Sequence, residues 1–173
     1  MKKLLSFLGF IGVFAIANAQ ENVYPSPAQS KPILISNATV HVGNGQVLEN
    51  ASILIRDGKI AEVGTNITAP AGAETINASG KQVYPGLILP ASNLGLVDVN
   101  SVRATTDVRE IGDLNPNVRS IIAYNTDSRV INTLRSNGIL LANIVPEGGT
   151  ISGSSSVVQL DRWKGEDAAK KTA

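Results

Sequence analysis

Apolar and polar residues alternate with a short period through residues 33–84. Ile33 and Ile35, then Ala38, Val40 and Val42, predict two short strands or one kinked strand. Ala51–Arg56 and Lys59–Val63 flank Asp57-Gly58, a pair that suits a tight hairpin turn with positive φ. Gly43-Asn44-Gly45 and Ala78-Ser79-Gly80-Lys81 are further turns, and residues 64–72 read as loop. Ala73–Ile76 and Gln82–Tyr84 complete the set. Several short strands at close spacing predict a small β-sandwich or barrel over residues 32–85.

After Pro85-Gly86 the rhythm changes. Leu87–Leu89 is a continuous apolar run, as expected of a strand buried on both faces. Residues 97–114 are polar and irregular. Asn115 before Pro116 predicts a helix start, followed by Val118, Ile121 and Ile122 at helical spacing. A second helix is expected from Asp127, with Val130, Ile131 and Leu134 on its apolar face and Gly138 as its stop. Ile139–Val145 and Val157–Leu160 read as strands, and Trp163–Lys171 as a last helix with almost no apolar face. Strand, helix, helix, strand suggests the opening of an α/β domain with a parallel sheet.

The N-terminal pattern stands apart from both. Lys2 and Lys3 precede an apolar stretch from Leu4 to Ile16, and Ala17-Asn18-Ala19 forms a small-x-small site before Gln20. Residues 1–19 are thus expected to be a signal peptide, too short for a comfortable membrane span. The protein is expected to be exported, periplasmic or extracellular, with no membrane anchor after cleavage. Residues 20–31, polar with two prolines, read as a flexible extended leader.

Composition narrows the function classes. Losing Lys2 and Lys3 lowers the 15 basic residues by two against 14 acidic ones, so the net charge passes from +1 to about −1. With no basic patch and few aromatics, nucleic acid is not an expected partner. There is no cysteine, hence no disulfide frame and no thiolate chemistry.

Candidate chemistry is sparse. His41 is the one histidine and reads as a surface or rim residue, since a metal site needs more ligands. Gly153-Ser154-Ser155-Ser156 lacks the second glycine and the nearby base of a serine nucleophile. Gly148–Gly153 lacks the Lys-Ser/Thr pair of a phosphate loop. Asp98, Asp107, Glu110 and Asp113, interleaved with Arg103 and Arg109, read as a solvated loop of mixed charge rather than a carboxylate site.

Three stretches carry a resemblance. ISNATVHVGNGQVLENASILIRDGKIAEVG and INASGKQVYPGLI resemble the N-terminal region of the amidohydrolase superfamily. VRSIIAYNTDSRVINTLRSNGILLANIVPEGGTISGSSSVVQLDRW resembles its imidazolonepropionase-like members, in an exported bacterial branch. The resemblance implies a β-sandwich at 32–85, followed over 86–173 by the first units of an incomplete (β/α)8 TIM barrel, a mixed α/β fold. It also implies that strands from a C-terminal segment complete the sandwich. A full barrel takes roughly 250 residues, so the chain reads as a truncated front part.

The family's reaction is metal-dependent hydrolysis of C–N amide bonds. Its first barrel strand ends Pro-Gly-Leu-Ile-Asp-x-His-x-His, where two imidazoles on one side of a strand hold zinc or another divalent metal. The metal acidifies a bound water and polarises the carbonyl. Here Pro85, Gly86, Leu87 and Ile88 match, but Leu89 replaces the Asp, and Ala91 and Asn93 replace the two His. The resemblance therefore implies no catalytic, cofactor-binding or metal-binding residue in this chain. Two readings follow: the front of an exported amidohydrolase-family protein, catalytically incompetent as it stands, or a non-enzymatic envelope binding or partner protein on a degenerate scaffold. A paralogous or completing amidohydrolase chain is the expected partner. In a complete barrel, Gly148–Ser156 would follow the second strand at the active-site face, where it is expected to contact substrate.

Overall fold

The computed structural model describes residues 25–172. The expected signal peptide and the first part of the expected leader lie outside the described residues. From residue 33 to residue 83 the chain builds one five-stranded sheet: β1 (Ile33–His41), β2 (Val47–Arg56), β3 (Lys59–Gly64), β4 (Glu74–Asn77) and β5 (Gln82–Val83). β2 pairs antiparallel with β1 and β3, while β4 and β5 run parallel to β1 along its other edge, end to end. The hairpin turn takes the conformation that its residues favour, with Asp57 at φ 50° and Gly58 at φ 68°.

The kinked-strand alternative describes β1. Register slips at Asn37 (φ 60°) and again opposite Asn50 (φ 50°). One extra residue on each strand bends the ribbon yet returns the side chains to the same face. That face carries Ile35, Ile53, Val63 and Ile76 in one row across four strands. Ala38, Val40, Ala51 and Ile53 are buried at its centre. Residues 33–83 supply only this layer, not two packed sheets, because β4 and β5 extend the first sheet instead of starting a second.

The leader residues 25–31 have no regular structure but are tied to the hairpin. Gln29 accepts a hydrogen bond from the Gly58 N–H (2.6 Å) and donates to the Ile55 carbonyl (2.9 Å).

A second, four-stranded sheet follows, in the order β6 (Leu87–Ser92), β7 (Ile139–Ile144), β8 (Ser156–Gln159) and β9 (Ala169–Thr172). Three helices accompany it: α1 (Ser120–Ala123), α2 (Arg129–Ser136) and α3 (Gly165–Ala168). β6 and β7 are parallel across the helical connection, as expected. β8 and β9 are antiparallel, unlike the expected parallel sheet. The link 145–155 contains no helix, so the chain reverses directly at the end of β7. Ile131 on α2 packs with Ala142, Ile144 and Val158 in a core distinct from that of the first sheet. Gly138, at φ 83°, ends α2 as its position predicts.

Three further expectations are corrected. Leu87 and Ile88 are 60% and 61% exposed, because β6 lies at a sheet edge with β7 as its one neighbour. The helix expected from Pro116 shrinks to α1, because residues 114–119 pair with 151–154 instead. The helix expected over Trp163–Lys171 shrinks to α3, and residues 169–172 become β9. A segment without an apolar face gains more from the free backbone edge of β8 than from isolated helical turns.

Candidate functional site

The C-terminal ends of β6 and β7 lie side by side, tied by the Val145 N–H donating to the Ser92 carbonyl (2.9 Å). Ala91 and Asn93 are exposed there. Ala91 offers no donor atom. The Asn93 amide nitrogen donates to Glu147 Oε1 at 3.4 Å, a long contact across the two strand ends. Beneath them, Asn143 donates to the Pro90 carbonyl (3.1 Å), while its own Oδ1 is buried without a partner. The divalent metal that the resemblance implies does not fit these residues. One ligand position is a methyl group, and the other is a neutral amide engaged with a carboxylate. Among the described residues no three His, Cys, Asp or Glu side chains gather as a metal group.

The glycine-rich loop does structural work. Residues 113–120 and 147–154 run beside each other as a ribbon. The Asn115 N–H donates to the Ile151 carbonyl, Ser154 N–H to Val118, and Ser120 N–H to Ser154. A Cβ on Gly149 would sit 2.7 Å from the Asp113 carbonyl oxygen, and one on Gly153 2.6 Å from that of Val118. Both positions also have positive φ, so only glycine permits this approach. Ser154 Oγ donates to the Val118 carbonyl (3.3 Å). The glycines of 149–153 thus face protein backbone.

The other singled-out residues are dispersed. His41 sits at the end of β1, its Nε2 2.7 Å from Gln82 Oε1 and its ring stacked on Tyr84 with centroids 4.2 Å apart. Asp98 accepts from the Asn125 side chain (2.7 Å). Asp107, Arg109 and Glu110 line a cleft of about 250 Å³ together with Asn117, Arg119 and Ser120. Sequence reasoning did not single out these last three. It placed them in a helix, where their spacing carries no chemical signal.

Tyr124 packs against Gly95 in the second core, and burial pushes its hydroxyl up to about 12. No helix among the described residues is long and apolar enough to cross a membrane.

No family model matches the chain. Its sequence is 39% identical over 74 residues to a D-hydantoinase from Rhizobium radiobacter, covering 43% of this chain and 15% of that protein. It is 38% identical over 56 residues to a dihydroorotase from Trichlorobacter lovleyi, covering 32% of this chain and 13% of that protein. Its fold superimposes on the amidohydrolase from Thermotoga maritima MSB8 with a TM-score of 0.74 and 27% identity, over 80% of this chain and 36% of that one. The chain therefore spans a small part of the curated relatives that it matches, and about a third of the solved structure. Local sequence identity and a mixed α/β fold shared over four-fifths of the chain together support a relationship to the amidohydrolase superfamily.

Proposed function

We propose that this chain is the front part of an exported amidohydrolase-family protein of the imidazolonepropionase-like branch, and that it does not hydrolyse amides by itself. The observation that carries the reading is the end of β6. The chain keeps the Pro85-Gly86-Leu87-Ile88 lead-in and the parallel β6–β7 pair, but presents Ala91 and Asn93 where the family's strand holds its metal. Two features support a sandwich followed by opening barrel strands. Ile60, Val63 and Ile76 leave the rim of the first sheet's apolar face uncovered, and β6 has an open edge with exposed Leu87 and Ile88. Residues 1–19 direct export in this reading, so the mature protein begins at Gln20.

The test is to express the chain with its leader, sequence the N-terminus of the exported product, and measure its zinc content and its turnover of hydantoin and dihydroorotate. The expected outcome is a chain starting at Gln20, without stoichiometric zinc and without turnover. One bound zinc per chain together with hydrolysis of either ring would overturn the reading.

The replacement of both imidazoles favours a second reading, that of a non-enzymatic envelope binding or partner protein working beside a paralogous amidohydrolase chain. Reading the gene past codon 173 separates the two. A continuing frame that supplies further histidines supports a remodelled enzyme. A frame without them supports the partner protein.

A further inference from the structure

Asparagine precedes glycine at two places, Asn44-Gly45 and Asn137-Gly138. Such a pair carries a latent reaction. The glycine nitrogen, with no Cβ beside it and a backbone free to turn, can attack the side-chain amide carbon of the asparagine. The fold treats the two pairs differently.

Asn137 is locked. It caps the C-terminal end of α2, where its Nδ2 donates to the Thr133 carbonyl at 2.7 Å. The Gly138 N–H, which would have to attack, donates to the Arg135 carbonyl (2.9 Å). Both reacting groups are bound back onto the last turn of the helix.

Asn44 lies in the exposed bend between β1 and β2, which the Val42 N–H closes by donating to the Gln46 carbonyl (3.0 Å). Asn44 Oδ1 accepts the Gln46 N–H at 3.0 Å. The ring of atoms that this bond closes includes the Gly45 nitrogen, so the side chain is folded over the peptide that would attack it. The same N–H is aimed at the oxygen on which negative charge develops as the amide carbon becomes tetrahedral. A Cβ on Gly45 would meet no atom within 4 Å, so the bend has room for a cyclic product. Asn77 and Asn125 accept the same kind of bond, from the Ser79 and Asp127 N–H groups, but Ala78 and Thr126 follow them and their side chains obstruct the attack.

We propose that Asn44 is a site of spontaneous deamidation. The Gly45 nitrogen gives its proton to hydroxide and bonds to Asn44 Cγ. The Cγ–Nδ2 bond breaks, and the nitrogen leaves as ammonia with a proton from water. The cyclic imide then adds one water at either carbonyl and opens to aspartate or isoaspartate. Either product adds a negative charge to the bend, and isoaspartate also adds a methylene to its backbone. The reaction needs no metal and no enzyme, so it stands whatever the chain catalyses.

The test is to incubate the full chain in mildly alkaline buffer, folded and in urea, and to follow both pairs by peptide mapping with mass detection. In the folded chain Asn44 is expected to convert about tenfold faster than Asn137, the rate factor of breaking one hydrogen bond. In urea the two rates are expected to converge, with the Asn44 rate no higher than in the folded chain. Three outcomes would overturn the proposal: no conversion at Asn44, Asn137 converting as fast as Asn44 in the folded chain, or Asn44 converting much faster in urea than folded.

Discussion

The two sheets of this chain are held by different kinds of information. In the first, β2 and β3 are joined by two turn residues, and β1 and β2 by a short bend, so neighbours in sequence are neighbours in space. In the second, β6 and β7 are separated by residues 93–138, and the ribbon that links 113–120 to 147–154 depends on backbone contacts between distant segments. Their cores differ too. Ile144 and Val158 are fully buried under helices, whereas the rim of the first sheet's apolar face leaves Ile60 67% exposed. Local turns are enough to form a sheet and to bury its centre at Ala38 and Ala51, but its rim stays open where the second sheet's core is covered by helices. Damage to the second sheet should therefore cost more than damage to the first.

The sharpest test pairs Ile144→Ala with Ile60→Ala. The first opens a cavity in a closed core and is expected to cost about 4 kcal/mol, and the second less than about 0.5 kcal/mol. Urea midpoints followed by far-UV circular dichroism measure both, and equal losses would break the contrast between the sheets.

Gly153→Ala should follow at about 3 kcal/mol. It combines a positive φ with a Cβ driven into the Val118 carbonyl. Amide exchange is expected to accelerate along β7 and residues 113–120 while β1–β3 keeps its protection. Uniform acceleration through both sheets would mean that they unfold as one unit.

The alkaline limb reports on Tyr124. The folded chain holds its phenolic proton to about pH 12, whereas the unfolded chain releases it near 10. The associated stability is fully present below pH 10 and is lost as pH rises from 10 towards 12, on the order of 2 kcal/mol. Tyr124→Phe should flatten that slope. A slope that survives the substitution would assign it to another group.

The smallest effect is expected at the hairpin. Gly58→Ala meets no atom within 4 Å and suffers only from its φ of 68°, about 1 kcal/mol. A larger loss would mean that the Gln29 bond to the Gly58 N–H matters more than the turn itself.

Where the sequence was legible, short-range steric rules governed. Asp57-Gly58, Gly138 and the run 139–145 each announce their structure through a few adjacent residues, and each forms near its expected place. The failures share a cause. Asn115-Pro116 has the chemistry of a helix start, yet the Asn115 N–H goes to the Ile151 carbonyl, 36 residues away. Residues 169–172 have helix-tolerant chemistry, yet β8 offers them an edge. Leu87 and Ile88 have the composition of a buried strand, yet nothing among the described residues covers them.

The candidate site divides in the same way. That Ala91 and Asn93 carry no imidazole could be seen from the sequence alone, because it is a fact about residue type. That Asn93 reaches Glu147, and that Arg109, Arg119, Asp107 and Glu110 line one cleft, could not. By itself the sequence determined the turns and most strand positions, which depend on side-chain chemistry within a few residues. Only the tertiary structure decided which edge stays open, which glycines let backbones touch and which charges share a cleft. Those outcomes depend on segments that meet in space after the chain has closed its long loops.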